Sequence, residues 1–282
     1  MGTGALVRPV LVGVDGSEIG LRAAEHAAEE ALRGDADLTL MAAHEERLDD
    51  SVSRWPSDLD EKDALAAVEA ARERVRSVAP GLEPRVRVVA GSPAEELLRH
   101  ARDFGLVVVG HRGRGGFLGM RIGSVAYQVA AHAPGDVLVT SGEAVDRGAS
   151  GVVVGVDGSP NADDAVLAAL ETASRHGDRV RAVRAWHPVA SRGRRAEEAE
   201  EEQHRRLAEA LARHTCDFPE VEVVREVVRS QPAAALLEAA SGARLVVVGA
   251  RGARGFARLS LGGVAHAVLH HAPCPVLVVR RR

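Results

Sequence analysis

The sequence predicts two tandem α/β domains, each a five-stranded, mostly parallel sheet with helices on both faces. Three observations carry that expectation. Strand-sized apolar runs alternate with helix-length segments rich in alanine, as in a sheet buried on both faces. The motif VLVGVDGS (Val10 to Ser17) returns as VVVGVDGS (Val152 to Ser159), and HAP at His132 to Pro134 returns at His271 to Pro273. Each copy also carries a glycine cluster after an LVVVG run, at Gly110 and at Gly249. Self-similarity of this kind marks a duplication. The 282 residues then divide into units of about 140, enough for a self-sufficient domain.

In the first copy, Val10 to Val14 is rich in β-branched residues and ends at Asp15-Gly16, after which Ser17 can cap a helix running to Leu32. Leu38 to Ala43, Val86 to Val89, Leu106 to Val109 and Val137 to Thr140 supply the remaining strands. Helices fall at 64–77, 93–103 and 123–132, the second of these opening on Pro93 at a favoured first-turn position. The second copy repeats the order with strands at Val152 to Val156, Val180 to Ala185, Val221 to Val228, Leu245 to Val248 and Val276 to Val279. The small and polar stretch SGEAVDRGAS (Ser141 to Ser150) joins the copies. It sets domain one at 1–143, a linker at 144–150 and domain two at 151–282. The segments after each second strand, His44 to Lys62 and His187 to Gln203, read as lids or as solvated loops leading into charged helices, with Glu197 to Glu202 an exposed face.

Composition narrows the function classes. A formal charge of −4 with mixed signs marks no nucleic-acid surface. Two cysteines, Cys216 and Cys274, form no disulfide framework, and the opening MGTGALVRP lacks the pattern of a secretion signal, so a reducing cytoplasm is expected. No apolar run reaches the roughly 20 residues of a bilayer span, so neither membrane nor nucleic acid is an expected partner.

The chemistry concentrates in the glycine clusters. Gly110, Gly113, Gly123 and Ser124 follow the first copy's fourth strand, and Gly249, Gly252, Gly262 and Gly263 follow that of the second. In an open parallel sheet, ligands sit beyond the carboxyl ends of the strands. Gly110 and Gly113 can turn the chain through positive φ and approach a ligand closely, with N–H groups aimed inward as in an anion-binding nest. Gly123-Ser124-Val125 opens a helix whose N-terminus favours phosphate. Read more plainly, the glycines only connect strand to helix. Asp15 and Asp157 could accept from ribose hydroxyls or join a magnesium shell through water, or could be turn aspartates bonding their own backbone. Arg112 and Arg251 are either phosphate partners or surface residues. His111 reads as a polar lining residue, since Ala250 stands at its place in the second copy. His132 and His271 read as helix-end caps, and Trp55 and Trp186 as packing or lid residues.

The spacing G-x2-G-x9-G-[ST] after the fourth strand, together with VGVDGS in both copies and HAPCPVLVV (His271 to Val279), resembles the ATP-binding branch of the universal stress protein family over nearly the whole chain. The second copy departs from the pattern at Gly263. The resemblance implies Rossmann-like domains of the adenine nucleotide alpha hydrolase type, with ATP, and Mg with it, lying across the strand ends. Gly13 and Asp15 would lie near adenine and ribose and Ala43 at the adenine. The phosphates would be wrapped by Gly110, His111, Arg112, Gly113, Arg114, Gly115 and Gly116, and by Gly123, Ser124 and Val125. In the second copy the corresponding residues are Gly155, Asp157 and Ala185, then Gly249, Ala250, Arg251, Gly252, Ala253, Arg254 and Gly255, then Gly262, Gly263 and Val264. In the resembled family the fifth strand lies at a sheet edge and pairs with another domain, so the chain's two halves are expected to pair through Val137 to Thr140 and Val276 to Val279. A homodimer, the commonest soluble homo-oligomer, and an unidentified protein partner are expected as well.

Other chemistries fail on particular residues. The only lysine, Lys62, lies far from either glycine cluster, so there is no Walker A loop. The third glycine of a dinucleotide fingerprint begun at Gly113 would fall at Leu118, and HEERL (His44 to Leu48) has leucine where a zincin needs histidine. The expected function is a nucleotide-dependent regulator of stress or energy state. The alternatives are a slow ATPase or nucleotide-dependent transferase, and an interaction module that holds no nucleotide.

Overall fold

The computed structural model describes residues 8–45, 59–115, 121–141, 149–187, 194–253 and 260–280. Two compact units divide the chain between Ala144 and Val145; of the expected linker, only residues 149 and 150 are among those described.

The first unit runs β1 (Val10–Gly13), α1 (Glu18–Arg33), β2 (Leu38–His44), α2 (Glu61–Val78), β3 (Arg85–Ala90), α3 (Pro93–His100) with a 3-10 turn at Ala101–Asp103, β4 (Leu106–Gly110), α4 (Ser124–His132) and β5 (Asp136–Thr140). The second runs β6 (Val152–Gly155), α5 (Pro160–His176), β7 (Val180–Trp186), α6 (Arg194–Thr215), β8 (Val223–Arg229), α7 (Pro232–Ala239), β9 (Leu245–Gly249), α8 (Gly263–His271) and β10 (Val276–Val279). The expected elements are present with ends shifted by a few residues, the largest changes being α2, which starts at Glu61, and α3, whose α-helical part ends at His100 with 101–103 a 3-10 turn.

Within each unit the strands are parallel. Their order is β3-β2-β1-β4-β5 in the first unit and β8-β7-β6-β9-β10 in the second. The chain therefore leaves the first strand of each unit in one direction and returns on its other side with the fourth. This reversal opens the crevice in which α/β folds place ligands.

The core follows from the strand composition. Leu11 and Val12 of β1 and Val108 of β4 have no exposed surface, because helices cover both sheet faces. Helix α1 turns Ala23, Ala24, Ala27, Ala28 and Ala31 inward, all fully buried. A stripe of alanines at helical spacing lets the helix axis approach the sheet closely. The edge strands β3 and β8 are instead largely exposed and carry Arg85, Arg87, Arg225 and Arg229, charges that discourage further strand pairing.

Caps begin the helices where the sequence placed them. Ser17 accepts from the Gly20 N–H at 3.1 Å, and Ser159 accepts from that of Ala162 at 3.2 Å. His132 Nδ1 donates to the Gln128 carbonyl at 3.0 Å, satisfying a last-turn oxygen of α4. On α6, the Glu197 to Glu202 stretch is exposed or half-buried, with Glu202 paired to Arg205 and Arg206. Among the described residues, no helix is long and apolar enough to cross a membrane.

Candidate functional site

Strand β1 lies directly beside β4, with Gly13 opposite Val109, so the turn that leaves β1 and the glycine loop that leaves β4 emerge side by side. Asp15 ties them together. Its Oδ1 accepts from the Ser17 N–H at 3.0 Å and the Ser17 hydroxyl at 2.6 Å, while its Oδ2 accepts from the Arg114 N–H at 2.8 Å. The second unit repeats the device: Asp157 Oδ1 accepts from the Ser159 N–H at 2.9 Å and Oδ2 from the Ala253 N–H at 2.7 Å. Each aspartate is thus a turn aspartate, as one of the two sequence readings held, and is also the link between turn and loop. Ser17, which the sequence suggested only as a helix cap, and its counterpart Ser159 belong to this device as well.

The glycines matter for a different reason from the one expected. Positive φ falls on Gly16 (+76°) and Gly158 (+85°), next to the aspartates, and not on Gly110, Gly113, Gly249 or Gly252. The left-handed backbone that a nest needs is therefore not formed at those four glycines; the constraint on them is space. A Cβ on Gly113 would collide with Asp15 Oδ2, and one on Gly252 would lie 2.5 Å from Asp157 Oδ2. A Cβ on Gly110 would lie 2.6 Å from Ile19 Cγ2, and one on Gly249 would lie 2.9 Å from the Asn161 backbone. At Gly13 and Gly155 an added Cβ would lie 2.8 and 3.1 Å from methyl carbons of Leu97 and Leu236, so those leucine side chains would have to shift to admit it.

Gly123 and Gly262 differ from these. Both have extended backbone (φ −78° and −75°) and act as N-caps of α4 and α8 with no side-chain cap bond. A Cβ there would make only ordinary contacts of 3.4 and 3.5 Å, with the Arg112 and Arg251 Cα atoms and nearby loop backbone. Neither conformation nor protein packing demands glycine; the missing side chain leaves room between the loop and the helix N-terminus. A backbone bond fixes that gap in each unit: the Gly123 N–H donates to the His111 carbonyl at 2.7 Å, and the Gly262 N–H to that of Ala250 at 2.8 Å. Ser124 and Gly263, first in their helices, are exposed, and a Cβ on Gly263 would meet nothing within 4 Å. Val125 is half-buried and Val264 exposed.

The other expected residues line the same edge. Ala43 and Ala185 sit near the carboxyl ends of β2 and β7. Arg112 Nε donates to His111 Nε2 at 3.0 Å, while His111 Nδ1 is buried without a partner among the described residues. Burial, and then the Arg112 charge, hold the His111 pKa below its ordinary value. Arg251 is exposed, and its carbonyl accepts from Asn161 Nδ2 at 3.1 Å; Arg114 and Gly115 are exposed. Gly116, Arg254, Gly255 and Trp55 lie outside the described residues. Trp186 is half-buried under the Arg229 guanidinium, 5.4 Å from its ring centre, which is the packing role.

Sequence and structure comparisons agree with this fold. The model of the universal stress protein family matches residues 7–141 and again 150–280. A universal stress protein of Mycolicibacterium smegmatis is 36% identical over 289 residues, covering 97% of each chain. One of Mycobacterium tuberculosis is 33% identical over 291 residues, covering 96% of this chain and 97% of the relative. The crystal structure of a universal stress protein from Archaeoglobus fulgidus matches the fold with a TM-score of 0.70 at 18% identity, covering 98% of this chain and 97% of that one.

Proposed function

The chain belongs to the universal stress protein family, and from that premise we propose that it binds ATP with Mg2+ in the crevice at the strand ends of each unit. We take it to act as a cytoplasmic, nucleotide-dependent regulator that signals stress or energy state to a protein partner, as a homodimer. The observation that carries the reading is the space left by Gly123 and Gly262, which neither backbone conformation nor protein packing requires.

That space lies against a helix N-terminus with no side-chain cap, where N–H groups and the helix dipole favour phosphate. In this reading the triphosphate runs between the glycine loop and the start of α4 or α8, with Ser124 donating its hydroxyl in the first unit. Adenine lies by Ala43 or Ala185, and the ribose by Gly13 and Asp15 or Gly155 and Asp157. Both oxygens of each aspartate already accept hydrogen bonds within the protein. A ribose hydroxyl can use a remaining lone pair, whereas Mg2+ is held chiefly by phosphate oxygens and water.

Mass spectrometry of small molecules released by denaturing freshly purified protein tests the proposal. ATP is the expected finding. ADP in its place would point to slow hydrolysis, and the absence of nucleotide together with no heat on adding ATP would contradict nucleotide binding and favour an interaction module.

A further inference from the structure

The two units differ on the sheet face covered by their first two helices. In the first unit a Cβ on Gly16 would meet the Ala67 Cβ at 3.4 Å, and Ala42 of β2 is buried. In the second unit the position matching Ala42 is Arg184, and a Cβ on Gly158 would lie 3.8 Å from its Nη1. Beside it opens a cavity of about 450 Å³, a size suited to a small metabolite. The Val156–Pro160 turn with Asp157, the start of α5 with Asp163, Arg184, and Arg206, Glu209 and Arg213 of α6 line it. None of Gly249 to Ala253 does, so the cavity lies apart from the proposed phosphate position, while it shares the Asp157 turn with the glycine crevice.

Arg184 is the unusual wall. It is only 9% exposed, yet its bonds go to neutral oxygens, from Nε to Gln203 Oε1 at 3.0 Å and from Nη1 to the Val156 carbonyl at 3.3 Å. The nearby acids pair with groups other than Arg184: Glu202 with the cavity's Arg206 at 2.7 Å, Asp163 with the cavity's Arg213 and with His214 at 3.3 Å, Glu209 with Arg205 at 3.7 Å, and Asp157 with the glycine loop. Burial, and the Arg206 charge after it, lower the Arg184 pKa. A buried cation is normally paired, and a guanidinium fork matches the geometry of phosphate or carboxylate.

We infer that this cavity of the second unit is a second ligand site for the oxyanion group of a small molecule, gripped by Arg184 with Arg206 and Arg213 beside it. The inference stands independently of ATP binding in the glycine crevices.

Residue-resolved NMR on the full chain tests it, with inorganic phosphate and succinate titrated separately to distinguish a phosphate site from a carboxylate site. Saturable shifts are expected at the amides of Ala162, Asp163 and Arg184 with at least one of the two anions, weakened at least tenfold by Arg184→Gln. Should that variant fold poorly, Arg206→Gln, whose charged group is largely exposed, is expected to weaken binding at least threefold. Shifts confined to Gly249 to Ala253, no saturable shift with either anion, or unchanged affinity in the variants would overturn the inference.

Discussion

At the residue scale, the two crevices differ at the position proposed to face phosphate, Ser124 in one and Gly263 in the other. A hydrogen bond to a charged group contributes about 1.5–3 kcal/mol, of which water can replace part in an exposed crevice. The second site is therefore expected to be weaker by about 1 kcal/mol, close to fivefold. Because a Cβ on Gly263 meets nothing within 4 Å, Gly263→Ser fits without rearrangement and is expected to recover most of that difference in calorimetry; an unchanged second-site affinity would refute the hydroxyl's role. His111 supplies a pH signature. Its folded pKa lies below the ordinary imidazole value of about 6.5, and burial does the same to His270 on α8. As pH falls through about 6.5, the unfolded chain takes up protons before the folded one does, so stability declines towards the folded pKa and the penalty is absent above that window. Thermal melts from pH 7 down to about 5.5 are expected to show a falling midpoint, with a shallower slope in His111→Ala, the residue the second unit carries as Ala250. Parallel slopes would show that His111 contributes nothing to the decline.

At the element scale, the strand–turn–helix beginning each unit and the strand–loop–helix containing the glycines are joined through Asp15 or Asp157. Gly113→Ala is expected to push Asp15 off the Arg114 N–H and speed hydrogen exchange at that amide. Gly123→Ala, whose Cβ makes ordinary contacts, is expected to cost about 1 kcal/mol of stability or less while weakening nucleotide binding. If Gly123→Ala binds ATP as the parent does, the space before α4 is not a phosphate site. Much of this was readable in advance. Runs such as Val10 to Val14 and Leu106 to Val109 located strands because a doubly covered parallel strand has few polar positions, and the glycine spacing located the loop. The cause of the spacing was not readable, because a sequence does not distinguish a glycine needed for positive φ, such as Gly16, from one needed for clearance, such as Gly113. That distinction depends on where the Asp15 carboxylate lies. The link from Asp15 to the Arg114 N–H was hidden for a related reason, since a backbone donor leaves no trace in residue type.

At the scale of the whole molecule, duplication yields two units of one topology that have diverged in places. Aligning the copies would have exposed Arg184 against Ala42, but one arginine in a chain with 36 lysines and arginines gives no signal without that alignment. The divergence means that nucleotide binding has to be read unit by unit. Calorimetric titration of nucleotide-free full-length protein with Mg-ATP, repeated on Gly123→Val and on Gly262→Val, does this most directly. The account predicts two sites per chain in the parent, loss of the tighter site in Gly123→Val and loss of the weaker one in Gly262→Val. Absence of ATP binding in the parent, or two unaltered sites in both variants, would contradict it.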